Sequence, residues 1–222
     1  MIGIARFTKG LSVICCGVGL SLSEPAKAHP HVVATVKASL VFSEDGRLQS
    51  IHQYWTFDAF FSAFAKRQID TNKDGIYSPN ELEVFANQQL RSLRDFKYFT
   101  TITSGDTTVP LDVPASAGFA MSADGGLTFE FVLALQTPLA LKQAVSIEIF
   151  DPNFFAYFTF DGASEPVRLI GAQRECTLAL KGPKPINFSQ PSTVPAVFWK
   201  ALVGATDVGR QFSNLVVLTC AQ

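Results

Sequence analysis

Short segments rich in Val, Ile, Phe and Thr, separated by Asp-Gly, Asp-Gly-Gly and Asp-Pro-Asn turns, predict a strand-rich chain. Two helix-period segments astride an acidic run at 70–81 interrupt that pattern after the first pair of strands. Two late cysteines, Cys176 and Cys220, would tie the end of the chain to what precedes it. Together these features predict an α+β fold. It is an antiparallel, immunoglobulin-like β-sandwich over 29–180, with a helix–loop–helix insertion at about 58–96. The chain has 222 residues, 47% of them hydrophobic, enough for a sizeable core in one or two domains. Net charge is −1 with no basic run, so nothing favours nucleic acid or an anionic membrane surface.

Residues 1–28 read as a secretory signal. Arg6 and Lys9 give the positive start, and Leu11 to Leu22 is an apolar run too short to span a bilayer. Ala26-Lys27-Ala28 is a small-residue cleavage site. A lipid anchor at Cys15 or Cys16 is the weaker alternative, since neither has small-residue surroundings. Cleavage after Ala28 leaves only Cys176 and Cys220, which in an oxidising compartment are most simply one disulfide. Closing a loop of about 45 residues contributes on the order of 4 kcal/mol in the chain-entropy model. A metal-binding thiol pair is the runner-up, and it lacks a nearby histidine.

In order, Val32–Phe42 and Leu48–Phe57 form a hairpin about Asp45-Gly46, in a register that sets His52 opposite Ser39 and Asp58 near Val33. The insertion follows, with Phe57, Phe60, Phe61 and Phe64 as one apolar helical face. Leu82, Phe85, Leu90, Leu93 and Phe96 form the next. Strands are expected at 97–103, 107–113, 118–121, 127–135, 145–150, 154–160 and 167–180. Residues 181–195 are a proline-rich extended connector, and 196–222 hold a C-terminal helix, predicted at 194–203, and a strand, 215–220, returning to the sheet.

The acidic run reads Asp-Thr-Asn-Lys-Asp-Gly-Ile-Tyr-Ser-Pro-Asn-Glu and has the spacing of an EF-hand calcium loop. Asp70, Asn72 and Asp74 supply hard oxygens from alternate positions, and Gly75 permits the sharp turn. The Ile76 carbonyl and Ser78, directly or through water, add ligands, and Glu81 closes the shell with two oxygens. The competing explanation needs no ion. Ser78 is a good N-cap, Pro79 suits the first helical position, and Glu81 sits where a capping-box glutamate belongs. Tyr77 occupies the position where an aliphatic residue usually pairs with a second loop, and no second loop is present. The expected affinity is therefore loose, about 10⁻⁴–10⁻³ M.

The chain has three histidines. At a mature terminus, His29 would offer its α-amine and imidazole to one metal, and His31 a second imidazole. Pro30 lacks an amide proton. That removes the copper/nickel mode which deprotonates the second amide. Imidazole suits zinc, copper and nickel. The plain alternative is a frayed terminus. Asp58 would complete this site or simply cap the helix beside it. His52 reads as a half-buried strand histidine.

His29-Pro30-His31 after a signal, Trp55-Thr56-Phe57-Asp58, the acidic loop, Phe150-Asp151-Pro152 with Phe154-Phe155, and the Cys176/Cys220 pair occur together. In this combination, over most of the mature chain, the protein resembles the DUF1007 family. These are exported bacterial proteins described as periplasmic components of an uncharacterised ABC-type transport system. The resemblance implies metal binding or delivery outside the inner membrane, beside a metal transporter for nickel, cobalt, zinc or manganese. It favours His29 and His31 as transition-metal ligands.

The expected function is thus non-enzymatic: an exported metal-binding protein with Ca²⁺ in the loop and Zn²⁺, Ni²⁺, Co²⁺ or Cu²⁺ at the terminus. The alternative is a calcium-stiffened structural or interaction module docking through aromatics such as Trp199. An enzyme would need chemistry the chain does not advertise, since Gly-x-Ser-x-Gly, a phosphate loop and His-Glu-x-x-His are all missing.

Overall fold

The computed structural model describes residues 32–162, 165–183, 186 and 208–221. The signal sequence, His29, His31, most of the connector, the helix expected at 194–203 and Trp199 lie outside these residues.

The chain is α+β, with two sheets and two α-helices among the described residues. Strands β1 (Val32–Phe42) and β2 (Leu48–Phe57) form the predicted hairpin, with Ser39 opposite His52. Helices α1 (Ala59–Ile69) and α2 (Pro79–Leu93) follow, then a tight turn at Arg94–Phe99. Next come β3 (Thr100–Ser104), β4 (Thr107–Thr108), β5 (Ala117–Met121), β6 (Leu127–Leu139) and β7 (Val145–Ile149). The chain continues through β8 (Ala156–Phe160), β9 (Val167–Ile170), β10 (Cys176–Lys181) and β11 (Asn214–Cys220).

One sheet runs β5-β6-β2-β1-β8, with β9 also on β1; the other runs β10-β11-β7-β3-β4. Expectation and structure part in the first sheet. Both β8 and β9 pair with β1 in parallel, so the architecture is mixed rather than wholly antiparallel. Parallel neighbours need long connections, and the whole insertion plus six strands separates β1 from β8. The strand expected at 167–180 is also two strands. Gly171 breaks it at φ +75, with Phe42 O only 3.2 Å from where a side-chain β-carbon would sit. That backbone favours glycine.

Alternation explains the core. In β1, Ala34, Val36, Ala38 and Leu40 point inward and are essentially excluded from water. Leu40 and Ile51 of the first sheet share one hydrophobic cluster with Ile102, Ile147, Val216 and Leu218 of the second. A second cluster gathers Trp55, Phe129 and Phe158 with Ala65 and Ile69 of α1 and Phe85 and Leu90 of α2.

Two polar struts cross between sheets inside this apolar setting. Gln53 Nε2 donates to Thr100 Oγ1 at 3.1 Å while its Oε1 accepts from Trp55 Nε1 at 3.2 Å. Asn214 Nδ2 donates to Phe158 O at 2.9 Å. Both groups of the Gln53 amide are partnered, as is usual for buried polar groups, whereas Asn214 Oδ1 is buried without a hydrogen-bond partner.

The disulfide expected from the two late cysteines is present. Cys176 and Cys220 are directly opposed in the β10–β11 ladder and bonded to each other. It ties the last strand to its neighbour.

Candidate functional site

The helix–loop–helix is anchored by its caps. Asp58 has extended backbone, and its Oδ1 accepts from Phe61 N–H at 2.7 Å, the N-cap bond of α1. Its own N–H donates to Val33 O at 3.0 Å, so the helix starts at the end of the β1–β2 hairpin. Ser62 Oγ then accepts from Leu127 N–H at 3.2 Å, pinning α1 to β6.

The buried face of α1 is Ser62, Ala65 and Ile69, which corrects the predicted phenylalanine face. Phe60 and Phe64 are 79% and 52% exposed, and Phe57 belongs to β2. Small residues on the inner face let α1 approach the sheet closely. Phe60 and Phe64 turn outward, while Phe61 packs partly buried against the core beside Phe57. The second face holds better. Phe85 and Leu90 are buried, Leu82 and Leu93 partly so, and Phe96 lies beyond the helix and is exposed.

Helix α2 opens with Ser78 as N-cap, Pro79 in the first turn, and a complete Ser78/Glu81 capping box. Tyr77 packs against the sheet cluster. Its ring therefore has the domain core for a partner.

Between the helices, the loop folds over its own backbone. Asp74 N–H is shared by Asp70 Oδ1 at 3.1 Å and Asn72 Oδ1 at 2.9 Å. Gly75 N–H donates to Asp70 Oδ2 at 3.1 Å, and Ile76 N–H to Asp74 Oδ1 at 2.7 Å. Asn72 Nδ2 also donates to Asp74 Oδ2 at 2.9 Å. The turn uses Lys73 at φ 61 and Gly75 at φ 77. Asp70, Asn72 and Asp74 are thus brought together around one stretch of amides, and Asn72 and Asp74 face solvent.

Glu81 is placed differently. Its Oε1 accepts from Thr71 N–H and Thr71 Oγ1, each at 3.1 Å. Oε2 accepts from Ser78 N–H at 3.1 Å and Ser78 Oγ at 2.7 Å. A carboxylate offers about four lone-pair positions, and all are engaged. The Ser78 bonds first, with those of Thr71, hold the Glu81 carboxyl down at about 2. The residue clasps the two ends of the loop.

The donor set is the hard-oxygen chemistry that calcium takes. Asp70, Asn72 and Asp74 carry such oxygens and spend them on the loop's own amides. Glu81 could offer one only by giving up bonds to Thr71 or Ser78. Among the described residues, no group of three or more His, Cys, Asp or Glu side chains converges tightly enough to hold a metal. His52 sits half-buried in β2, opposite Ser39 and Val132. Thr71 is a participant that sequence reading missed, because the second loop position carries no ligand rule.

Asp151 was also unassigned. It is 3% exposed, and its oxygens accept from Asn153 N–H at 2.8 Å and Ala156 N–H at 2.9 Å, fixing the turn into β8. The Asp-Pro-Asn signal located this turn without saying that its carboxylate is buried. Among the described residues no helix is long and apolar enough to cross a membrane.

Comparison with known proteins agrees with the earlier resemblance. A family model described as "Protein of unknown function (DUF1007)" matches residues 14–220. An uncharacterised 15.5 kDa protein in the trpE 3′ region of Spirochaeta aurantia is 26% identical over 127 residues, covering 57% of this chain and 89% of that protein. With the family match running over nearly its whole length, the chain belongs to the DUF1007 family.

Proposed function

We propose that the protein is an exported, periplasmic, non-enzymatic metal-binding protein that works beside a metal transport system of the ABC type. In this reading the two sheets are an immunoglobulin-like sandwich, and α1, the loop and α2 are a single EF-hand inserted after the first hairpin. Calcium takes oxygens from Asp70, Asn72, Asp74, Ile76, Ser78 and Glu81, and fixes the insertion rather than signalling. His29 and His31 hold Zn²⁺, Ni²⁺, Co²⁺ or Cu²⁺ at the mature terminus. Asp58 is left to its helix cap.

One observation carries the calcium reading. Three oxygen-bearing side chains at alternate positions fold over the amides of Asp74, Gly75 and Ile76. That is how an EF-hand loop prepares its first ligands. Each oxygen keeps a further acceptor position.

Glu81 explains why affinity is loose. Any oxygen it gives to calcium is withdrawn from Thr71 or Ser78, so calcium competes with charge-assisted hydrogen bonds already made.

The transition-metal reading is tested by titrating the mature chain, starting at His29, with zinc and nickel. Native mass spectrometry counts the retained ions. We expect one transition-metal ion per chain, and a binding at least tenfold weaker in His31→Ala, the loss of one imidazole at about 1.4 kcal/mol. Equal binding by the variant removes the histidine site and leaves a calcium-stabilised interaction module.

A further inference from the structure

Between α2, the Arg94–Phe99 turn and the first sheet lies a cavity of about 530 Å³. That volume is in the range of small-molecule sites. Nine of its sixteen lining residues are aromatic. Trp55, Phe129 and Phe158 come from the sheet, Phe61 from α1 and Phe99 from the turn. Phe96 and Phe155 also line it and are 47% and 48% exposed, so the cavity communicates with solvent.

Its polar lining has one electrostatic sense. Gln89, Ser92 and Asn153 are neutral, Asp151 is the ionisable residue, and no lysine, arginine or histidine lines the cavity among the described residues. Asp151 is 3% exposed and keeps acceptor capacity beyond its two backbone bonds. Aromatic faces are electronegative. Rings and carboxylate together make an apolar space that favours positive charge.

The backbone supplies an independent observation. Lys97, Tyr98 and Phe99 lie in succession at φ 51, 53 and 50. Left-handed backbone is unfavourable for residues other than glycine. The run delivers the Phe99 ring into the cavity, 5.5 Å from Phe96 and Phe158 and 6.2 Å from Trp55. Strain of this kind persists where surrounding structure enforces it, and it gathers at ligand sites.

We propose that this cavity binds a small organic cation. The ammonium head sits against the rings and Asp151, and the apolar body against Trp55 and Phe158. No residue of the calcium loop lines the cavity, while Val32, which follows His31 in the chain, does.

Calorimetric titration of the mature chain with benzyltrimethylammonium tests it, with N-benzylacetamide and phenylacetate as neutral and anionic controls. We expect saturable one-site binding of the cation, with both controls weaker by about tenfold or more, the scale of a desolvated cation–π contact. Phe96→Ala, at the open edge, should weaken the cation by about the same factor while melting near wild type. Asp151→Asn should do likewise if its turn still forms; Phe96→Ala decides the matter if it does not. Equal affinity for the neutral control, unchanged binding by Phe96→Ala, or no saturable heat up to about 10 mM overturns the proposal.

Discussion

Glu81 accepts two hydrogen bonds on each oxygen, and the consequence is readable in acid. Its carboxyl is lowered from the ordinary 4.5 to about 2. A depressed folded-state value stabilises the protein above the unfolded value, and that stabilisation is lost as pH falls through the folded one. In metal-free buffer, wild type should therefore lose melting temperature between pH 4.5 and 2 faster than Glu81→Gln. The gap between the two should narrow across that window. Parallel melting curves would mean that the clasp carries no charge-dependent stability.

At this scale the sequence was informative wherever a side chain acts on nearby backbone. Asp58, Ser78 and Glu81 all make the cap bonds their positions predicted. Thr71, Gln53 and Asp151 were illegible, because their partners are fixed by how the chain turns or by strands far away in sequence. Gln53 bonds a residue 47 positions on. Nothing in β2's sequence says which of its polar residues lie buried, as Gln53 and Ser50 do.

Among the elements, strand composition and the Asp45-Gly46 turn located β1 and β2, and alternation located β11 nearly to the residue. Strands β1 and β2 break the alternation at Ala38–Leu40 and at Ser50 and Ile51. The stretch Lys97–Phe99 reads as strand by composition and is instead a left-handed turn ahead of β3. Composition reports side-chain preference, while this backbone is set by tertiary packing of Phe99 among aromatic rings. Lys97 is exposed and contributes no side chain to that packing. Lys97→Gly should thus relieve local strain and raise stability by about 1 kcal/mol, measured by chemical denaturation. Destabilisation of similar size would show that the turn is not strained. The α1 face was misread for a related reason. Helical spacing counts apolar residues, and α1 buries Ser62, Ala65 and Ile69 because the β6 backbone comes close enough to bond Ser62.

Across the whole molecule, the α+β class and the Cys176–Cys220 tie were readable, and the parallel pairing of β1 was not. Turn signals report local reversals. They do not reveal that β8 and β9 return to β1's free edge in β1's own direction. The aromatic cavity is likewise a product of assembly, drawing rings from both helices' neighbourhood and four strands. The helix–loop–helix occupies one place in this assembly. The α1 cap residue Asp58 grips the first hairpin, and the inner faces cover the β5–β6 side of the first sheet through Phe85 against Phe119 and Ser62 against Leu127. An ion in the loop would stiffen that cover from outside.

The measurement closest to the centre of this account is calcium titration of the mature chain, by calorimetry and thermal melting, beside Glu81→Gln. We expect one ion per chain with a Kd of about 10⁻⁴–10⁻³ M. At about 10 mM calcium, a Kd of 10⁻⁴ M corresponds to about 2.7 kcal/mol of added stability. Glu81→Gln should lose most of both signals. No heat and no shift in melting at that calcium concentration would contradict the account, and leave residues 70–81 as an acidic turn held by its caps alone.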